Sequence, residues 1–391
     1  MRLSHDDYVA LDARLATHDA FLLERYPGER AGRQPVHTVY VPADRIAGFR
    51  DWGSQALAAL DEHPPLPFPA ALEERVRAKL AAEPIEDLRV DFEDGYGVRD
   101  DEQEDAAVKQ AAAVLLDGPR PPFTGIRIKS LEAPTRRRAL RTLDLWLAHY
   151  SEPFVVTLPK VSGLDQVDAM VTLCERLEDA YGLSAGTLRF EIQVELPAAV
   201  VGADGTATVA RLLTAAAGRC TGLHYGTYDY SAAAGVAAAY QAMDHPVADY
   251  AKAVMQAAAA GTGVRLSDGS TNILPVGSAV AVHEAWTLHC RLVRRSLERG
   301  FYQGWDLHPA QLPTRFAATY AFFADGMDAA ITRLRRYLDR QAGGVLDEPA
   351  TARALAGYLL RGLDCGALEP DAVGFARTEL AALALPPTDR R

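Results

Sequence analysis

Eight short runs rich in β-branched and aromatic residues recur along the chain, each separated from the next by enough sequence for a helix. They are 37–45 (HTVYVPADR), 88–95 (LRVDFEDG), 123–131 (FTGIRIKSL), 154–161 (FVVTLPKV), 188–196 (LRFEIQVEL), 221–230 (TGLHYGTYDY), 263–271 (GVRLSDGST) and 301–309 (FYQGWDLHP). The stretches between them, such as DAAVKQAAAVLLDG and LDQVDAMVTLCERLEDAYG, have the apolar spacing and the Ala, Leu, Arg and Glu content of helices. Strand and helix alternating eight times predicts an α/β chain folded as a (β/α)8 TIM barrel. A length of 391 residues also suits two ordinary domains, and the strand count decides for one barrel with attachments. The expected division is a helical N-terminal segment (1–36), a barrel catalytic domain (37–319) with a Pro-rich helical insertion at 46–87, and a helical C-terminal extension (320–391). HPPLPFP in the insertion cannot be regular helix. The Ala-rich patches SAAAGVAAAY and VMQAAAAG read as crossover helices.

Within several strands charged and apolar residues alternate. Arg189, Glu191, Gln193 and Glu195 share one face while Phe190, Ile192 and Val194 share the other; Arg89, Asp91 and Glu93 oppose Val90 and Phe92; Arg127 and Lys129 oppose Ile126 and Ile128. Crossover helices require parallel strands covered on the outside, so the polar face must look into the barrel. Charges there are costly unless paired, hydrogen-bonded or bound to a metal, and several converging on one interior mark a site.

Composition narrows the function. With 41 basic against 52 acidic residues the net charge is −11, and no block of Lys and Arg is present to neutralise phosphates, which argues against nucleic acid as a partner. No apolar run reaches the ~18 residues of a membrane span, and the N-terminus has no signal-peptide core. Four scattered cysteines without a C-x-x-C pair suit a reducing, cytoplasmic location. P-loop, G-x-G-x-x-G and nucleophile-elbow motifs are absent, which disfavours nucleotide chemistry.

The sharpest candidate pair is Glu195 at the end of the fifth strand and Asp229 at the end of the sixth. Neighbouring strands run ~4.8 Å apart, so the two carboxylates can reach one cation, and oxygen ligands with positions left over suit Mg2+ (or Mn2+) better than Zn2+. Two interior acids bridged to Arg127 or Lys160 would leave the same trace in the sequence. Arg127, near the end of the third strand, is placed to stabilise a developing enolate oxygen or simply to pair with Asp91 or Glu93. Lys160 is one of only five lysines and is read in the same layer as Lys129; it suits either a Schiff base or an ion pair. Asp91, Glu93 and Asp94 in DFEDG lack calcium-loop spacing and fit the task of orienting Arg127, Lys160 or a water. His283 and His289 fall on a helix as surface or packing residues, whereas His308, at a strand end before a Pro turn, is the histidine placed for a site.

The ordered set of strand-end motifs resembles the HpcH/HpaI aldolase family, in its citrate lyase β-subunit-like branch. VYVPADR, RVDFEDG, GIRIK, TLPKV, VELPAAV, YGTYDYSAAAG and GWDLHPAQL are similar to that family's strand ends in the same order, over roughly 37–315. The resemblance implies a Mg2+-dependent carbon–carbon lyase or aldolase, with Glu195 and Asp229 as metal ligands. Arg127, Asp94 and Lys160 would be catalytic, and Asp91, Glu93, Pro197 and His308 would stand around a 2-oxo or hydroxy acid, free or as its coenzyme A thioester. GGVLDEPATARAL is similar to the stretch before the C-terminal helices that reach a neighbouring subunit's site, which implies a homo-oligomer, trimer or hexamer, with Asp347 supplied in trans. Lys129 stands where the family has Asn, and Leu196-Pro197 follow Glu195 where it has Thr. Two other readings stay open: a metal-free Schiff-base aldolase using Lys160, and a barrel that binds ligand without catalysis.

Overall fold

The computed structural model of the chain describes residues 2–339 and 348–385. Each of the eight expected runs contains a strand: β1 (His37–Pro42), β2 (Asp87–Asp91), β3 (Phe123–Arg127), β4 (Val155–Leu158), β5 (Arg189–Val194), β6 (Cys220–Tyr225), β7 (Arg265–Ser267) and β8 (Gly304–Asp306). All are parallel, in the order β7-β6-β5-β4-β3-β2-β1-β8. At the seam a parallel bridge joins Ser267 to Gln303, with the Asp268 N–H donating to the Gln303 carbonyl at 2.8 Å and the Trp305 N–H to the Gly269 carbonyl at 3.1 Å. The sheet thus meets itself as a (β/α)8 barrel whose thinnest junction is β7–β8.

The outward strand residues, among them Val39, Leu88, Val90, Ile126, Val156, Ile192 and Leu223, are fully buried under the helices. The helix Asp101–Leu116 shows how the sequence achieves this. Asp100 caps it by accepting the Gln103 N–H at 2.7 Å, three acids fill its first turn, and Ala107, Val108, Ala111, Ala112 and Leu115 form one buried stripe. The small alanines let its axis approach the sheet.

The insertion consists of a 3-10 stretch (Ala43–Asp51), a helix (Trp52–Glu62), irregular residues at the prolines, and a helix (Ala70–Ala82). That last helix packs on Leu312–Leu338, a 27-residue helix that runs unbroken through 319 and 320. Barrel and tail are therefore joined by one helix through residues 319 and 320. SAAAGVAAAY is also not a crossover helix: helix Thr227–Ala233 stops before Gly235, whose φ of +78° breaks it, and a short 3-10 turn (Ala238–Tyr240) follows. The crossover is the next helix, Pro246–Ala259, which contains VMQAAA. No helix among the described residues is long and apolar enough to cross a membrane.

Candidate active site

Two polar layers stack inside the barrel. The lower layer joins Arg89 to Asp87 and, at 2.9 Å, to Glu191; His224 Nε2 meets the same Glu191 oxygen at 3.1 Å, and Trp305 Nε1 donates to His224 Nδ1 at 3.2 Å. Thr38 donates to Asp87 at 2.9 Å and receives the Gln303 amide at 2.8 Å. Room for Arg89 comes from Gly125, since a Cβ there would fall 2.3 Å from the Val155 carbonyl oxygen and 2.9 Å from Arg89 Cδ. Every member is buried, so this layer is sealed.

The upper layer lies at the C-terminal ends of the strands, where barrel sites form. Arg127 donates through Nε and Nη2 to the two oxygens of Asp91, each at 2.7 Å, and its guanidinium stands 4.7 Å above the ring of Tyr40. Asp91 also accepts the N–H groups of Glu93 and Gly95, both at 2.9 Å, which saturates it as a positioning group for Arg127. A Cβ at Gly95 would lie 2.5 Å from Asp91 Oδ2, so glycine is needed at that turn. Arg127 Nη1 has only longer contacts, 3.4 Å to Gln193 and 3.5 Å to Glu93. Burial works against its charge, and Asp91 and then Glu93 outweigh burial.

Lys160 has a left-handed backbone, φ +51°, unusual for a side-chain-bearing residue and worth about 1 kcal/mol of strain. That conformation turns its N–H onto Glu195 Oε1 at 2.6 Å while its ammonium reaches Glu93 at 2.6 Å and Asp94 at 2.8 Å. Gln193 donates to the other Glu195 oxygen. Glu195 is fully buried, and burial, opposed by Lys160 and Arg127 but reinforced by Asp229 and Glu93, pushes its carboxyl up to about 8. Glu93 and Asp94, neighbours on one lysine, diverge: burial raises Glu93, whereas at the rim Lys160 overcomes burial and lowers Asp94.

The remaining sequence candidates lie around this core. Asp229 is not on β6 but in the first turn of the helix Thr227–Ala233, exposed at the rim and close enough to Glu195 to act on its charge. Pro197 opens the short helix Pro197–Val200. His308 is half-buried, and its Nδ1 accepts the Ala310 N–H at 3.1 Å to cap the turn Pro309–Gln311. Lys129 does not share a layer with Lys160: β3 ends at Arg127, so alternation stops, and Lys129 turns outward to Glu104 at 2.7 Å and the Phe92 carbonyl at 2.6 Å. His289 is a packing residue, buried between Thr314 and Asp306. Asp347 lies outside the described residues. Sequence reasoning missed Tyr40, Trp305 and Gln193 as site residues, although period-two alternation already put Gln193 on the inner face.

Among the described residues no group of three or more His, Cys, Asp or Glu side chains is placed to hold a metal ion. Glu195 and Asp229 nevertheless suit a hard cation. Their donors are carboxylate oxygens, and the absence of a side chain at Gly226 keeps space beside them, since a Cβ there would fall 2.5 Å from Glu195 Cβ and 3.0 Å from its Oε2. Two protein ligands leave coordination positions for water and substrate, as Mg2+ prefers.

A (β/α)8 barrel with a charged, partly buried cluster at its C-terminal mouth defines the class of this protein. Residues 15–386 match the family described as a domain of unknown function, DUF6986, and the chain belongs to it. No curated protein matches the sequence. Among solved structures, protein CitE from Mycobacterium tuberculosis in complex with magnesium, acetoacetate and coenzyme A is similar at a TM-score of 0.52 and 21% identity, covering 85% of this chain and 98% of that one. Haloferax volcanii malate synthase at 3 mM glyoxylate is similar at a TM-score of 0.52 and 14% identity, covering 86% and 93%. At these identities the likeness is one of fold.

Proposed function

We propose that the chain is a carbon–carbon lyase or aldolase acting at the barrel mouth on a 2-oxo or hydroxy acid, free or as its coenzyme A thioester. The observation that carries this reading is the convergence of Glu195 and Asp229 beside Arg127, whose Nη1 has no contact shorter than 3.4 Å. Mg2+ or Mn2+ held by Glu195 and Asp229 would supply a Lewis acid for a substrate carbonyl and a point of chelation. Arg127, fixed by Asp91 and backed by Tyr40, directs Nη1 at a carboxylate or developing enolate oxygen, a preorganised charge of the kind that lowers barriers most. Gln193 and the Lys160 N–H fix Glu195. Asp94, held ionised at the rim by Lys160, is placed to orient a water or a substrate group. The ligands in the CitE crystal, magnesium with acetoacetate and coenzyme A, are of the class this arrangement would take.

The Schiff-base alternative finds no support in the geometry. Burial would lower the Lys160 ammonium, but Glu195, Asp94 and Glu93 together raise it above the ordinary lysine value, leaving it charged and a poor nucleophile. Calorimetry with Mg2+ tests the metal: Glu195→Ala with Asp229→Ala should abolish binding, and unchanged binding removes the assignment. A panel of 2-oxo acids, hydroxy acids and their thioesters, followed by release of a 2-oxo acid, tests the activity. The proposed homo-oligomer makes a separate claim: mixing Glu195→Gln and Asp347→Ala proteins should restore turnover if Asp347 serves a neighbour's site, and a mixture as inactive as its parts excludes this.

A further inference from the structure

The end of the barrel opposite the mouth carries a cavity lined by both apolar and charged residues. Chain leaving the helix His5–Arg25 crosses beneath the starts of β5, β6 and β7 and encloses about 580 Å3 there. This strap is tied down. The Gly28 N–H donates to the Gly261 carbonyl at 2.9 Å, Arg265 to the Gly32 carbonyl at 2.7 Å, and Arg25 to the carbonyls of Ala210 and Leu213, each at 3.1 Å. Where the strap touches the barrel the residue is Gly263, at φ +77°, and a Cβ would stand 3.3 Å from the Gly28 carbonyl oxygen.

Arg30 and Arg189 line the cavity and Arg265 stands beside it. Elsewhere the chain pairs its enclosed arginines with acids: Arg33 with Glu83, Arg89 with Glu191, Arg127 with Asp91, Arg219 with Glu178 and Arg315 with Asp306. At the cavity Arg30 is exposed and Arg189 and Arg265 are half-buried, and none of the three forms an ion pair among the described residues. Among the described residues Arg30 has no hydrogen bond or ion pair, Arg189 has one 3.4 Å contact to the Gly218 carbonyl, and Arg265 has only Gly32. Of the two acids on the wall, Glu24 and Glu29, the latter is engaged by Arg361. Burial and then the facing Arg189 hold Arg30 below its ordinary value, and burial and then Arg30 do the same to Arg265. Arg30, close enough to both Arg189 and Arg265 to be repelled by each, raises with them the positive potential of this concavity, and their planar donors match phosphate and carboxylate oxygens.

We propose that this cavity binds a small molecule carrying at least two negative charges, as phosphate or carboxylate groups, at a site separate from the mouth. Arg189 opens the same strand, β5, that Glu195 follows, so a single strand spans the two sites. The inference stands independently of the reaction at the mouth.

Calorimetry with pyrophosphate and, in parallel, malonate tests it on the full chain. One of the two should bind wild-type protein, and the tighter one assigns the ligand to phosphates or dicarboxylates. Arg30→Ala with Arg189→Ala should weaken that binding at least roughly tenfold. Arg189→Glu, which gives Arg30 a carboxylate, should raise the melting temperature without ligand and remove the further rise that ligand causes in wild type. No binding of either anion at about ten times the concentration typical of metabolite sites, ~1 mM, overturns the proposal, and so does binding that both variants retain.

Discussion

The two layers inside the barrel are built from the same residue types yet are balanced differently. In the lower one Arg89 lies between Asp87 and Glu191 with Thr38, Gln303 and His224 around them, and only the Arg89 Nε is left buried without a hydrogen-bond partner among this layer's named residues. In the upper one the carboxyls outnumber what Arg127 and Lys160 can hold, leaving Glu195 raised and Asp229 at the rim. A closed network gives a single arrangement of the barrel interior; an open one gives a place where something else must complete the charge. The proposed chemistry falls at the end where pairing is incomplete.

Breaking the lower layer should cost the most. Arg89→Met leaves Asp87 and Glu191 buried without their cation and should destabilise the fold by about 3–5 kcal/mol in chemical denaturation. A loss below about 1 kcal/mol would mean that this layer is not the closed structural network described. The mouth should respond in the opposite sense. Glu195→Gln should lower turnover roughly 10²–10³-fold, about 2.7–4 kcal/mol, while denaturation shifts by less than about 1 kcal/mol. An equal fall in stability would erase the contrast between layers.

Acid sharpens the comparison at the barrel floor. Glu178 receives both guanidinium arms of Arg219, at 2.7 and 2.8 Å, and the N–H groups of Leu188 and Gly186, and the Arg219 bond holds its carboxyl down at about 2. Its folded value is lower than its unfolded one, so this stability is fully present above about pH 4.5 and is lost as pH falls toward 2. Melting curves across that window should show wild type losing roughly 2–3 kcal/mol that Glu178→Gln has already lost. The smallest effect is expected at Tyr40. Tyr40→Leu removes the ring under Arg127 and should reduce kcat/KM by the equivalent of about 0.5–2 kcal/mol, and unchanged kinetics would show that Asp91 alone positions the guanidinium.

Much of the fold could be read because its signals are local. Each expected strand run contains a strand, and the inward polar face follows from alternation on β2 and β5. Alternation misled only past a strand's end, at Lys129, because nothing local announces that β3 stops at Arg127. The same limit explains Asp229, where the Gly226 turn moves the acid from strand to helix. The ion pairs of Arg127 with Asp91 and of Lys160 with Glu93 were foreseeable as options, since opposite charges share one interior, but not as choices.

By itself the sequence determined the barrel, its strand order and the concentration of charge on its inner face, since period-two and helical patterns act over a few residues. Only the tertiary structure decided which charges cancel. That depends on angstrom-scale approach between distant segments: Gly125 admitting Arg89, the left-handed Lys160 aiming its N–H at Glu195, and the strap after Arg25 closing on unpaired arginines. Electrostatic balance is a sum over neighbours in space, and the chain has those neighbours only once the barrel has closed.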